Sequence, residues 1–292
     1  MATVAVIGAG GMGSWFARFF RSKGDSVTVC DIDQSKARRL AARVRARYSS
    51  TNFEAARGST IVVLATPTNV VSNVVKEISP ALRRGAFVLD LSATKSAAAP
   101  ALRSAQRRGG IVASIHPMFG PLASGLRGRT IIVVRIGKDK RAVEMVKRLF
   151  PEARILLTDL KTHDRQMAVT LALPHFLNML FATTISRTKK LAELRKFAGR
   201  TFSLQMLLAE TVANDPETTA DIQIMNREFA AVLRNLQRDV RSLRKVFNRG
   251  DRTELVNRYG RVRQLLSNDP EFGTARSRFE KVCEATSMRL ER

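Results

Sequence analysis

Cysteine is nearly absent from this chain of 292 residues: there are two, Cys30 and Cys283. Neither sits in a C-x-x-C or ladder spacing, which excludes a disulfide-stapled domain and a cysteine zinc site. Histidine is almost as scarce, at positions 116, 163 and 175 only. No H-x-x-x-H pair occurs, so no metal site is expected. Acidic residues are half as numerous as basic ones, 25 against 50. No internal repeat and no low-complexity segment is present. Only Met167–Ile185 runs uncharged for nearly the length of a membrane span. It contains Pro174, His175, Asn178 and several threonines, which suits a buried helix better, and no membrane partner is expected. A strand pattern begins at Thr3 and leaves no room for a signal peptide, so a cytoplasmic location is expected.

What is there describes a globular protein. Apolar residues make up 45% and charged residues 26% of the chain. Its length fits two domains. The formal net charge of +25 attracts polyanions. A nucleic-acid binder gathers such charge on one face. Here it is spread from Arg18 to Arg292. The densest run, Lys36 to Arg47, has helical spacing with apolar residues between the charges, the pattern of a solvated amphipathic helix. Specific nucleic-acid binding is therefore not expected, whereas small anionic cofactors and substrates are.

Short apolar runs at Thr3–Ile7, Ser26–Asp31, Thr60–Ala65, Ala86–Leu91, Ile111–Ile115, Thr130–Arg135 and Ala153–Leu157 read as strands. Helical patterns such as Ser14–Ser22 and Ser35–Arg45 alternate with the early ones. That order predicts an α/β domain over 1–158 with a parallel sheet covered on both faces. From 159 to 292 the pattern is helical, interrupted at Gly199, Asp215-Pro216, Gly250 and Asp269-Pro270. Its long apolar helices suggest an all-helical C-terminal domain that makes a homodimer.

The first strand runs into Gly8-Ala-Gly-Gly-Met-Gly13. G-x-G-x-x-G alone is a weak signal. Between a strand and a helix, with an acid about 20 residues on, it marks a Rossmann-type dinucleotide site. Gly8 permits the turn, Gly10 lets backbone approach the pyrophosphate, and Gly13 lets helix pack on strand. Gly11 and Met12 complete the turn, whose free N–H groups receive the pyrophosphate. Asp31 ends the second strand, where a carboxylate binds ribose hydroxyls and favours NAD. Lys36 and Arg38 nearby keep NADP open, and FAD lacks any further signature. Thr66 and Pro67 end the next strand, where the nicotinamide half would lie.

Two further strand ends carry chemistry. One reads Asp90-Leu-Ser-Ala-Thr-Lys95 and the other His116-Pro-Met-Phe-Gly-Pro121. A histidine at a sheet's carboxyl edge suits a general base. Ser92, Thr94 and Lys95 are candidates for orienting it or for binding an anionic substrate. On a regular helix Asp164 and His175 are close to three turns apart and share a face, with Asn178 nearby. That polar stripe makes His175 a candidate cavity residue, with His163 a weaker one.

His116–Pro121 resembles the signature of prephenate dehydrogenases. The glycine turn, the Asp90–Lys95 loop, Leu173-Pro-His175 and the segment Asn214–Gln223 are similar as well, so the resemblance covers essentially the whole chain. It implies NAD-dependent oxidative decarboxylation of prephenate to 4-hydroxyphenylpyruvate in tyrosine biosynthesis, or a related oxidation of arogenate or another anionic hydroxyacid. His116 would accept a hydrogen bond from the ring hydroxyl as it becomes a carbonyl. Loss of CO2 aromatises the ring and drives the reaction. Two positions depart from the family pattern. Ala93 stands where a serine is usual, so Ser92 or Thr94 would substitute. Glu210 stands where a substrate-binding arginine is usual, leaving Arg165, Lys95 and Arg127 as candidate cations.

Overall fold

A computed structural model describes residues 1–137, 140–188 and 190–290, with side chains to 286. By contacts the chain forms two compact units. The first holds Met1–Ala172 and Pro216–Phe229, and the second Leu173–Asp215 and Ala230–Arg292.

The first unit opens with β1 (Thr3–Ile7), α1 (Gly11–Ser22), β2 (Ser26–Cys30), α2 (Gln34–Val44) and the two-residue β3 (Arg47–Tyr48). It continues with α3 (Asn52–Ala56), β4 (Ile61–Leu64), α4 (Val71–Ile78), β5 (Phe87–Asp90) and α5 (Lys95–Arg107). Then come β6 (Ile111–Pro117), β7 (Thr130–Val134), α6 (Lys140–Leu149), β8 (Arg154–Thr158) and α7 (Leu160–Met167). The strands form one sheet in the order β3-β2-β1-β4-β5-β6-β7-β8. This is the Rossmann-type arrangement expected, with β3 and α3 added.

All pairs are parallel except β6 with β7. The sheet is thus mostly parallel, as expected, and reverses at this one pair because residues 118–129 form a loop rather than a crossover helix, so the chain returns antiparallel. Both faces are covered. Val4, Val6, Val63, Leu89 and Ile115 pack on one side with Phe16, Phe20 and Phe150. Ala5, Ile7, Val62, Leu64 and Val88 pack on the other with Val75, Ile78 and Leu102. Such strands read as unbroken apolar runs because neither face meets water. Cys30 lies in the second cluster, and burial raises its thiol pKa to about 11.

The basic run forms α2 only as far as Val44; Arg45 ends the helix in the left-handed region and Arg47, expected to be helical, lies in β3. Asp33 caps α2 by accepting the Lys36 N–H at 3.0 Å, and Ala37, Leu40 and Ala41 face inward. After α7 the backbone passes through a π-helical segment, Ala168–Ala172. That segment interrupts the 3.6-residue period on which a shared face for Asp164 and His175 depended.

The second unit begins with α8 (Leu173–Ser186), α9 (Leu191–Lys196) and α10 (Arg200–Ala213). α11 (Pro216–Ile224) belongs to the first unit. α12 (Phe229–Asn248), α13 (Arg252–Leu266) and α14 (Ala275–Leu290) complete the helices, so the C-terminal part is helical as expected. α8 and α10 are joined by Asn178, which accepts from Gln205 Nε2 at 2.7 Å, and by Phe181 against Phe202. Asn178 also donates to the Pro174 carbonyl at 2.8 Å, so it serves this pairing. Leu160–Ser186 is long and apolar enough to cross a membrane by length and composition alone.

Candidate active site

The glycine turn is built as its spacing requires. Gly8 has φ +106°, a region costly for other residues. A Cβ on Gly13 would fall 1.8 Å from the Gly8 carbonyl oxygen. A Cβ at Gly10 meets nothing within 4 Å, so that flank of the turn is open to a ligand. The first helical bond of α1 is Ser14 N–H to the Gly10 carbonyl. The N–H groups of Gly11, Met12 and Gly13 therefore have no intrahelical acceptor.

Asp31 sits at the carboxyl end of β2. It accepts the Ala9 N–H at 2.6 Å and the Asp33 N–H at 2.8 Å, so it also braces the turn. The cations that kept NADP open are engaged elsewhere. Lys36 lies 3.9 Å from Asp33, and the Arg38 guanidinium stacks over the Tyr48 ring at 4.8 Å. At the end of β4 the Thr66 hydroxyl is buried without a hydrogen-bond partner. Pro67 is exposed and opens a short 3-10 turn. An open glycine flank, unpaired N–H groups, a carboxylate at the end of β2 and an orphaned hydroxyl all fit a dinucleotide.

The loop after β6 is pinned against α1. Trp15 Nε1 donates to the Ala123 carbonyl at 2.9 Å, and Arg18 donates to the Pro121 carbonyl at 3.2 Å. Phe119 packs on Trp15 with centroids 5.0 Å apart. A Cβ at Gly11 would stand 3.0 Å from the Pro121 ring, which gives the middle glycine its own reason. The hexapeptide thus holds the end of β6, with His116, against the helix that follows the glycine turn.

Behind His116 lies a buried polar network. His116 Nδ1 is 3.0 Å from His163 Nε2, and His163 Nδ1 is 2.8 Å from Asp164 Oδ1. Asp164 also accepts the backbone N–H groups of Lys95 at 3.0 Å and Ser96 at 2.9 Å. A carboxylate thereby caps the N-terminus of α5, where it is favoured. Asn226, just after α11, donates to the Asp164 carbonyl at 2.8 Å. A second cluster centres on Asp90, which accepts from Ser92 Oγ at 2.8 Å and from Ser114 Oγ. Lys95 Nζ lies 3.3 Å from Asp90 and donates to the Ile115 carbonyl at 2.7 Å.

Burial drives the electrostatics. It pushes His116 well below the usual histidine value; Lys95, and His163 when protonated, act the same way, and Asp164 opposes them. His163 is lowered by burial, opposed by its bond to Asp164. Lys95 is lowered by burial, with Asp90 opposing. Burial alone would raise Asp164, but the bonds from His163, Ser96 and Lys95 outweigh it and bring its pKa to about 2. Both histidines are therefore neutral at neutral pH.

The structure gathers His116, Ser92, Thr94 and Lys95 at the carboxyl edge of the sheet. The Lys95 ammonium has no exposed surface and serves as the internal counter-ion of Asp90. Thr94 is buried at the start of α5. Arg165 and Arg127 are exposed. His175 lies in the second unit. Its Nδ1 is buried without a hydrogen-bond partner, and burial lowers its pKa against the charge of Asp215. Glu210 pairs with Arg195 in that unit. From the sequence, His163 is the weaker candidate and a helical period ties Asp164 to His175. The adjacent His-Asp pair was the signal available, because an acid beside a histidine fixes its ring.

Comparison with known proteins gives a consistent result. A family model described as "Prephenate dehydrogenase, nucleotide-binding domain" matches residues 16–173. One described as "Prephenate dehydrogenase, dimerization domain" matches residues 159–260. A Methanocaldococcus jannaschii protein named "Probable arogenate/prephenate dehydrogenase" is 27% identical over 262 residues, which is 87% of this chain and 58% of that protein. The Haemophilus influenzae T-protein is 25% identical over 278 residues, 92% of this chain and 68% of its own. The chain thus spans little more than half of the first relative's length. Among solved structures, Aquifex aeolicus prephenate dehydrogenase with hydroxyphenyl propionate and NAD+ has a TM-score of 0.74 at 20% identity, covering 92% of this chain and 99% of that one. Synechocystis arogenate dehydrogenase has a TM-score of 0.67 at 17% identity with the same coverage. At these identities the two structures establish the fold.

Proposed function

This chain belongs to the prephenate dehydrogenase family, and we propose on that premise that it oxidises prephenate with NAD and releases the ring carboxylate as CO2. The observation that carries the reading is His116. It stands near the end of β6, whose following loop packs against the glycine-turn helix, with Nδ1 bonded to His163. When bound, the nicotinamide supplies the two-electron acceptor. Gly8, Gly10, Gly11, Met12 and Gly13 with Asp31, Thr66 and Pro67 hold the dinucleotide. Asp31 favours NAD over NADP because a 2′-phosphate beside its carboxylate is repelled. His116 accepts the hydrogen bond of the substrate hydroxyl and takes its proton. Ser92 and Lys95 hold Asp90, and Asp90 with Ser114 fixes the edge of the sheet behind His116. Thr94, Arg165 and His175 are assigned to the substrate.

Further parts of the proposal concern assembly and place. The second unit exposes Leu177, Met179, Leu180, Leu207 and Leu208 on α8 and α10, which supports a homodimer through the helical part. A cytoplasmic location is part of the same proposal, since the reaction draws on NAD.

The test is NADH formation by the purified protein with prephenate and with arogenate, alongside NAD binding. Turnover of prephenate is expected, and no turnover of either with intact NAD binding overturns the reading. Ala93 and Glu210 favour a second reading, oxidation of arogenate or a related anionic hydroxyacid. Glu210 pairs with Arg195 and, being a carboxylate, cannot bind a substrate carboxylate as an arginine would. Faster turnover of arogenate selects that alternative.

A further inference from the structure

We propose that His163 and Asp164 are positioning residues that set the tautomer of His116, so that its Nε2 presents a lone pair to the substrate. The inference rests on the reading above for its kinetic consequence, but not for its chemistry. An ionised carboxylate can only accept hydrogen bonds. Asp164 accepts two backbone N–H groups, so any proton on the 2.8 Å contact to His163 Nδ1 belongs to the ring. A neutral His163 protonated at Nδ1 carries its lone pair on Nε2. That lone pair faces His116 Nδ1 across 3.0 Å. Two lone pairs at that distance would repel, so His116 Nδ1 must hold a proton. Neutral His116 then has its lone pair on Nε2.

The relay is fixed on three sides. Asp164 is tied to the N-terminus of α5, its backbone is held by Asn226, and His163 is 2% exposed, which leaves its ring little freedom. His116 belongs to β6, whose carboxyl end is pinned by the loop on α1. The proton ledger also closes. A proton taken at His116 Nε2 makes an imidazolium whose Nδ1 proton can pass to His163 Nε2. The positive charge then lies beside the Asp164 carboxylate, and no further reactant is needed. The same logic orients histidines in acyl-transfer triads, where the wrong tautomer removes the base.

The experiment is nitrogen-15 NMR of the full-length protein labelled at histidine, where only three rings contribute. It reads each tautomer without substrate. His175→Asn removes one ring and identifies its signals. The expected wild-type result is a protonated Nδ1 and bare Nε2 on both His116 and His163. A proton on His116 Nε2 in the wild type overturns the proposal. In His163→Phe, His116 should gain the Nε2–H form, and unchanged His116 signals also overturn it. With prephenate, kcat of His163→Phe should fall about 10- to 100-fold, the lower range of general-base effects, at unchanged NAD affinity. His163→Gln, whose amide oxygen can accept from His116 Nδ1, should recover part of the loss. If the tautomers are as expected but no form turns over prephenate or arogenate, the relay stands and the functional reading falls.

Discussion

Replacing Asp164 with Asn should weaken the sheet-bearing unit by about 2–4 kcal/mol at pH 7. Most of this loss comes from the acid's own titration. Its pKa falls from 3.8 to about 2 on folding. At about 1.36 kcal/mol per pH unit, that difference is worth roughly 2.4 kcal/mol. The carboxyl is nearly fully buried, so solvent screening removes little of it. Asparagine offers one acceptor oxygen where the carboxylate has two. Its amide must face at least one of the three donors, Lys95 N–H, Ser96 N–H or His163 Nδ1–H, which adds about 1 kcal/mol or more. The sign follows from the depressed pKa. The stabilisation is present above the unfolded value and is lost as pH falls through the folded one. About 1.8 kcal/mol of it remains at pH 3.5 and about 0.8 kcal/mol at pH 2.5. The assay is urea unfolding followed by fluorescence of Trp15, the only tryptophan, which is buried in this unit. Losses from other acids are common to both proteins, so the gap between them isolates Asp164. A gap below about 1 kcal/mol at pH 7, or one that fails to narrow on acidification, refutes the reasoning.

Gly13→Ala puts a methyl against the Gly8 carbonyl, so NAD affinity should fall at least about 10-fold and unfolding should come earlier in urea. Titration of NAD and the Trp15 transition check both. His116→Asn should lower kcat by about 10²–10⁴-fold while NAD affinity stays within about twofold, as measured by steady-state kinetics and calorimetry. An unchanged kcat removes His116 from its role. Asp31→Asn removes a charge but keeps an acceptor for Ala9 N–H, so the preference for NAD over NADP should shrink at little cost in stability. Equal discrimination in both proteins assigns that choice to another residue.

The cofactor turn and seven of the eight strands of the described residues were legible because they rest on local rules. Gly8, Gly10 and Gly13 are spaced by backbone sterics, and doubly buried strands read as continuous apolar runs. The β6–β7 reversal was not legible. Its sign is the lack of a helix between Pro117 and Thr130, and the glycines and prolines there do not say which way the chain returns. The His116–His163 contact joins residues 47 apart, and no pattern within one segment reports it. Lys95 was legible as a charge near the site, yet its burial beside Asp90 depends on the ends of β5 and β6 meeting the start of α5. A regular α-helical period does not connect Asp164 to His175, because Ala168–Ala172 between them form a π segment.

The division of the first unit across two stretches of chain bears on its birth as well as its stability. Asn226 is made 62 residues after Asp164, whose carbonyl it secures. At roughly 5–20 residues per second, a ribosome needs about 3–12 s to cover that distance. During this interval the sheet can assemble, but α7 waits without its last anchor while the second unit's first helices emerge. A chain cut at Ala172 would keep every strand and lose that anchor for good. Such a fragment should bind dinucleotide while its histidine pair loosens, because the vehicle for the cofactor is finished early in synthesis and the apparatus for the proton late.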